Sequence, residues 1–159
     1  LARAIADNAP WVVRPLPRAR RLPARTPVAP METIADFPFY RRHYLAQQQA
    51  MEDGIAPLRA RLREALATRS PTMARLAAVD AVMERVLGHQ ERGLLATVPP
   101  LLEQRFARLR DQAEVAGDGA SPATWQPRFQ QDLQDVLLAE LDLRWQPIDG
   151  LLGALRSPH

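Results

Sequence analysis

The fold is indicated most clearly by residues 36–68, which read DFPFYRRHYLAQQQAMEDGIAPLRARLREALAT. Apolar and amide side chains recur there at alternating steps of four and three residues, which places them on one face of an α-helix. This seam consists of Tyr44, Gln48, Met51, Ile55, Leu58, Leu62 and Ala65. Asp36 is a suitable N-cap, so we expect a helix from Asp36 to about Thr68. Because the seam keeps its phase across Gly54 and Pro57, we expect one kinked helix rather than two.

A second helical stretch is expected to begin at Ser70 and Pro71, an N-cap followed by proline at the first helical position. Its seam consists of Met73, Leu76, Val79, Met83, Val86 or Leu87, Gln90, Leu94 and Val98. Pro99 and Pro100 then interrupt the hydrogen-bond ladder. The seam resumes in phase with Leu101 or Leu102, Arg105, Phe106, Leu109 and Ala113. The stretch is therefore either one kinked rod or two helices that meet end to end.

A third helical stretch follows residues 116–122, AGDGASP, which have the composition of a loop. Its seam consists of Trp125, Phe129, Leu133, Val136 or Leu137, Leu141, Trp145, Ile148, Leu152 and Leu155. No alternating strand pattern occurs in the sequence, so the expected fold class is all-α. Short connections make neighbouring helices antiparallel. We therefore predict an elongated, antiparallel up-down-up three-helix bundle of long, proline-kinked helices over residues 34–157.

The predicted turns also set a register between the three stretches. Gln48 and Gln90 lie at similar distances from the turn near Ser70, and the same count across the second loop leads to Trp145. We therefore predict a mixed layer of Gln48, Gln90 and Trp145 in an otherwise aliphatic core. Polar seam residues of this kind can fix the register of packed helices.

Residues 1–33 are expected to form an extended, basic, proline-rich arm or linker. Residues 1–30 hold six arginines and six prolines against one acid, whereas the rest of the chain is nearly neutral. Candidate partner-binding residues lie in this arm and at the start of the first helix: Trp11, Arg14, Arg18, Arg20, Arg21, Arg25, Arg41 and Arg42. Arginines in such an arm suit nucleic-acid phosphates, an anionic bilayer or an acidic groove on a protein. The plain alternative is a linker without a binding role.

Signals for catalysis, metals and cofactors are missing from the sequence. The chain has no cysteine, and its three histidines have neither a histidine at i+4 nor a Glu-x-x-His pairing. No phosphate loop, dinucleotide-binding glycine motif or nucleophile elbow occurs. We therefore expect no cofactor, no metal site and no enzymatic activity. No apolar run approaches the ~20 residues of a membrane span, so no transmembrane segment is expected.

Several stretches resemble an uncharacterised proteobacterial family of helical proteins, a domain-of-unknown-function family. They are residues 40–45 (YRRHYL), 57–61 (PLRAR), 76–83 (LAAVDAVM), 94–99 (LLATVP) and 138–144 (LAELDLR). The resemblance covers roughly residues 36–156 and implies no catalytic residues. It does imply a role beside a membrane assembly, since members of that family are encoded near envelope-type proteins. Members carry a longer N-terminal region, from which the short, proline-rich residues 1–30 depart.

Together these features favour a non-enzymatic helical scaffold or adaptor that binds protein partners, with a cell-envelope assembly as one setting. The alternative function is nucleic-acid binding through the arginine-rich arm. A ligand-sensing bundle is a third option that no motif demands. Long apolar seams also favour self-association, so a homo-oligomer is one expected state. The expected location is cytoplasmic, either free or peripheral to the inner membrane.

Overall fold

The computed structural model describes residues 36–115 and 122–157, and these ranges are helical throughout apart from caps and short turns. Helix α1 spans Phe37–Ala67, α2 spans Pro71–Leu95, α3 spans Val98–Val115 and α4 spans Pro122–Arg156. No strand occurs within the described ranges. The all-α class predicted from the sequence is therefore confirmed.

Helix α1 is continuous and carries Pro57 in its interior, as the unbroken seam predicts. Asp36 occupies the N-cap position with extended backbone, and its carbonyl accepts a hydrogen bond from the Phe39 amide at 2.9 Å. The Asp36 side chain makes no capping hydrogen bond. Thr68 ends the helix, and its hydroxyl donates to the Ala65 carbonyl. Both expected ends of this helix are therefore confirmed.

The second predicted stretch is two helices. Ser70 caps α2 by accepting a hydrogen bond from the Met73 amide at 3.2 Å. The helix ends at Leu95, and α3 starts at Val98. Pro99 and Pro100 lie in the first turn of α3, where the amide groups have no carbonyl partner within the helix and proline is tolerated. Of the two alternatives, the structure has two helices in succession.

The core lies mainly between α1, α3 and α4. Five aromatic rings form its first part, with neighbouring centroids 4.8–5.9 Å apart. These rings belong to Phe37, Tyr40, Phe106, Trp125 and Phe129. The core continues along α1 and α4 through Tyr44, Met51, Ile55, Leu133, Leu137, Leu141 and Ile148. A smaller cluster of Leu66, Met73, Ala77 and Leu151 joins α2 to α1 and α4.

The seams of α1, α3 and α4 are largely buried as predicted, with one local change in α1. Leu66 is buried near the end of α1, whereas Ala65 is exposed. The larger side chain thus takes the inward position in the last turn, where burial of a leucine stabilises the fold more than burial of an alanine.

The seam predicted for α2 is wrong beyond its first turns. Of the buried apolar residues of α2, only Met73 belongs to that seam, and Ala77 takes the next inward position. From Leu76 to Leu94 the predicted seam is exposed to solvent, whereas Val98 starts α3 and packs partly buried against the core. The reason is that α2 turns a charged face toward α1, where acidic side chains meet two arginines.

The predicted polar layer of Gln48, Gln90 and Trp145 is also wrong. Gln90 is exposed, and Trp145 packs as a partly buried residue against the apolar core. Gln48 instead donates from Nε2 to both carboxylate oxygens of Glu140, at 3.0 Å each. The seam glutamine therefore does meet a polar group in the core, but its partner is an acid of α4.

Candidate functional site: the exposed face of helix α2

A cluster of ion pairs holds α2 against α1. Arg59 donates to both oxygens of Asp80, at 2.9 and 2.7 Å, and Arg63 donates to Asp80 at 3.1 Å and to Glu84 at 2.5 Å. The side chains of Arg59 and Asp80 are only 14% and 13% exposed. Because the two arginines are four residues apart, as are the two acids, each pair lies on one helix face.

The electrostatics of this cluster follow from its geometry. Burial alone raises the pKa of Asp80, but the hydrogen bonds and charges of Arg59 and Arg63 outweigh it and hold that pKa below its ordinary value. For Arg63, burial alone lowers the pKa, but the hydrogen bonds and charges of Glu84 and Asp80 outweigh burial, so the pKa of Arg63 lies above its ordinary value. Asp80 and Arg63 are thus charged at neutral pH, and the contact between α1 and α2 combines these ion pairs with the apolar cluster around Leu66 and Met73.

The side of α2 next to this charged face carries an apolar surface, which we name the α2 apolar face. Its seven large side chains are between 41% and 71% exposed. They are Leu76, Val79, Val82, Met83, Val86, Leu87 and Leu94. Single exposed apolar residues are ordinary on protein surfaces, whereas a contiguous patch marks an interaction site. The α2 apolar face is therefore the strongest candidate binding surface in the described part of the chain.

A groove runs beside this face, between α2 and α4. Its volume is about 670 Å³, within the usual range for binding pockets. One wall is formed by residues of the α2 apolar face together with the acids Asp80, Glu84 and Glu91. The other wall is formed by residues of α4: Leu143, Gln146, Pro147 and Gly150. A Cβ added at Gly150 would meet no atom within 4 Å, so this wall leaves open space for an incoming group.

A buried polar network lies deeper in the bundle. Glu140 is 2% exposed at its side chain and accepts hydrogen bonds from Tyr44 at 2.7 Å, from Gln48 at 3.0 Å and from Arg144 at 2.9 Å. Arg144 also lies 3.5 Å from Glu52 of α1 and 3.4 Å from Glu91 of α2. The Arg144 side chain thus links three helices.

Tyr44 serves this network as a hydrogen-bond donor that keeps its proton. Burial, followed by the hydrogen bond to Glu140 and the charge of Glu140, raises the pKa of Tyr44 far above its ordinary value. Tyr44 is therefore a neutral hydrogen-bond donor at physiological pH. Within residues 36–115 and 122–157, no three His, Cys, Asp or Glu side chains are grouped as a metal ion would require.

The residues singled out from the sequence lie apart from the α2 apolar face or outside the described ranges. Arg41 and Arg42 are exposed in the first turns of α1. Arg41 lines a separate pocket of about 480 Å³ together with Leu45, Pro99 and Glu103. Residues 116–121 of the predicted loop 116–122 lie outside the described residues, and Pro122 begins α4. The arm candidates also lie outside the described residues: Trp11, Arg14, Arg18, Arg20, Arg21 and Arg25.

Comparison with known proteins gives a family. The sequence matches the family described as "Protein of unknown function (DUF3348)" over residues 1–157. The chain belongs to the DUF3348 family. The predicted membership of a domain-of-unknown-function family is thereby confirmed, and the match extends past residues 36–156 to include residues 1–35. Searches of curated proteins and of solved structures found no match.

Among the helices described here, none combines the length and the hydropathy that crossing a membrane requires.

Proposed function

We propose that this DUF3348 protein is a non-enzymatic helical scaffold or adaptor, and that the α2 apolar face and its groove bind a helix of a protein partner. The observation that carries the proposal is the exposure of seven large apolar side chains along one helix. Covering apolar surface stabilises a complex by about 25 cal/mol per Å² before the costs of association. A groove between two helices suits an amphipathic helix laid along it.

The ionic contact between α1 and α2 supports the same proposal. A helix that only completed a core would turn its leucines, valines and methionine inward. Here Asp80 and Glu84 take inward positions and pair with Arg59 and Arg63, while the large apolar side chains beside them are exposed. The charged contact therefore fixes the helix in an orientation that presents its apolar face to a partner.

The up-down-up arrangement and its elongated, kinked form belong to this proposal as well. Contacts pair Arg63 of α1 with Glu84 of α2, and Glu52 of α1 with Arg144 of α4. Phe37 of α1 contacts Phe106 of α3. These pairs support antiparallel neighbours in sequence, with α1 and α4 running the same way. The interior prolines of α1 and α4 support bends in those helices.

The second candidate function is nucleic-acid binding. Arg41 and Arg42 are adjacent and exposed at the start of α1, directly after the basic arm. Contacts to phosphate make affinity fall steeply with salt, whereas an apolar groove binds with little salt dependence. Titration of a short RNA or DNA duplex at two ionic strengths therefore separates the two functions. The cytoplasmic location and the setting beside a cell-envelope assembly stay proposals, which cell fractionation tests.

Photo-cross-linking in cells tests the binding surface directly. A photoreactive amino acid replaces Val79, which is 54% exposed on the α2 apolar face. The matched control places it at Arg108, an exposed position of α3. We expect a discrete protein-sized cross-link from position 79 and none from position 108. Equal, diffuse cross-linking from both positions would contradict the proposal.

A further inference from the structure

We propose that the helix bound in the groove is basic: one of its arginine or lysine side chains pairs with Glu52 and Glu91 while its apolar side chains pack on the α2 apolar face. This inference rests on the proposed function, because it uses the same groove, and it adds the chemistry of the partner. The charges that carry it belong to the groove and to the cavity next to it. Three acids of α2 line the groove against one cation, Arg59.

A smaller cavity of about 260 Å³ adjoins the groove between α1, α2 and α4. Glu84, Gly88 and Glu91 of α2 line both spaces. Glu52 of α1 lines the smaller cavity. The side chains of Glu52 and Glu91 are 39% and 35% exposed, so both carboxylates are open to an incoming group.

In the described part of the chain, Glu52 and Glu91 have no cation of their own. Nη1 of Arg144 lies 3.5 Å from a carboxylate oxygen of Glu52 and 3.4 Å from one of Glu91. Nη2 of the same guanidinium lies 2.9 Å from the buried carboxylate of Glu140. Three carboxylates thus share one positive charge. The excess negative charge lies at Glu52 and Glu91, where a further cation is stabilised.

The other charges around the two spaces do not cancel this excess. Asp80 and Glu84 are matched by two arginines of α1. Arg92 borders the smaller cavity and makes no ion pair within residues 36–115 and 122–157. Taken together, five acids face four arginines: Glu52, Asp80, Glu84, Glu91 and Glu140 against Arg59, Arg63, Arg92 and Arg144. The surroundings of the groove are therefore negative, which favours a cationic partner over an acidic one.

The position of Glu91 defines where the partner carries its cation. Along α2, Glu91 lies between Leu87 and Leu94, within about 6 Å of helix rise from each. Leu143 and Pro147 of α4 line both spaces at this place. A long basic side chain lays its aliphatic stem on these two residues and places its charged head at the carboxylates. Arginine suits the site best, because its planar guanidinium donates to two carboxylates at once.

Fluorescence anisotropy with the purified full chain and two labelled helical peptides tests this proposal. Both peptides carry the same leucine stripe, with a pair of arginines beside it in the first and citrulline, a neutral residue of the same shape, in the second. We expect the arginine peptide to bind about tenfold more tightly. Glu52→Gln with Glu91→Gln removes both charges at nearly constant size and is expected to bring the two affinities to within about threefold.

The matched control is Asp111→Asn with Glu114→Gln, which removes the same charge from α3, where these side chains are 65% and 56% exposed. We expect this control to keep the wild-type preference for arginine, and far-UV circular dichroism confirms that each variant is folded. Equal affinity of the wild-type chain for the two peptides would overturn the basic partner and leave the proposed function in place. A preference that persists in the folded Glu52→Gln, Glu91→Gln chain would do the same. A wild-type chain that binds neither peptide would overturn the proposed function itself.

Discussion

Replacing Arg144 with methionine tests the buried polar network, because it removes the cation and keeps much of the side-chain length. Arg144 is 10% exposed and neutralises Glu140, which is 2% exposed. Breaking a buried ion pair by removing one partner costs about 3–5 kcal/mol. In Arg144→Met, Tyr44 and Gln48 still donate to the Glu140 carboxylate. We therefore expect the unfolding free energy to fall by about 3 kcal/mol, the lower end of that range.

The assay is equilibrium urea unfolding followed by tryptophan fluorescence and circular dichroism, with thermal unfolding as a second measure. A loss of about 3 kcal/mol corresponds to a fall in the melting temperature of about 6–12 °C for a chain of this size. The matched control is Arg110→Met, because the Arg110 side chain is 52% exposed and its nearest carboxylates are 3.7 and 3.9 Å away. We expect this control to stay within about 0.5 kcal/mol of wild type.

The double variant Glu140→Gln with Arg144→Met gives the clearest test, because the direction of its change in unfolding free energy relative to Arg144→Met is predicted. A neutral glutamine needs no cation and keeps hydrogen bonds with Tyr44 and Gln48, so the double variant should be more stable than Arg144→Met alone. The reasoning fails if Arg144→Met is as stable as the Arg110 control. It also fails if the double variant is less stable than the single one.

Three further predictions concern the core, the ionic contact and the exposed face. Phe129→Ala removes a ring that is 0% exposed and is expected to cost about 3–5 kcal/mol in urea unfolding; a loss below about 1 kcal/mol would mean that the aromatic cluster is not packed as described. Asp80→Asn is expected to cost about 2 kcal/mol at pH 7. The folded-state pKa of Asp80 lies below its ordinary 3.8, so its carboxylate stabilises the fold above about pH 4 and this contribution is lost as the pH falls through the lowered pKa. The difference in unfolding free energy between Asp80→Asn and wild type should therefore become smaller below pH 4. A difference that does not change with pH would refute the stabilising role of the Asp80 carboxylate. Val79→Glu with Met83→Glu should leave the unfolding free energy of the monomer within about 0.5 kcal/mol and reduce the fluorescence of a bound hydrophobic dye; a dye signal equal to wild type would contradict the exposure of this face.

The sequence predicts the helices well because periodicity and caps are local properties. The N-cap at Ser70 and the end of α1 near Thr68 depend on residues within one turn, and both agree with the structure. The seam of α4 is also correct, since its inward face is apolar along nearly the whole helix. Burial of such a face is the largest favourable contribution to folding, so a helix with a continuous apolar face usually turns it inward.

The error in α2 shows what periodicity leaves open. A repeat of three and four residues identifies side chains that share a face, and it does not say whether the core or a partner covers that face. Asp80 and Glu84 repeat at four residues on the adjacent face, as do Arg59 and Arg63 on α1. The inward face of α2 could have been predicted from this match of charges between neighbouring helices.

The partner of Gln48 was hidden for a related reason. Counting from the turns places Gln48 level with Gln90 and Trp145 only if each helix packs face to face with the next. Gln48 of α1 instead donates to Glu140 of α4, while α2 meets α1 through its ion pairs and leaves Gln90 exposed. Long-range pairs between polar groups depend on the tertiary arrangement, which one sequence does not determine.

The central claim, that a protein covers the α2 apolar face in the cell, is tested most directly by methionine oxidation. Met83 is 49% exposed on that face, whereas Met51 is 0% and Met73 is 6% exposed, so the chain carries its own buried references. Peroxide oxidation of each methionine is followed by mass spectrometry in dilute purified protein and in intact cells. The account predicts that Met83 oxidises far faster than Met51 in dilute solution and is protected toward the Met51 rate in cells. A ratio of Met83 to Met51 oxidation that is the same in both settings would contradict it.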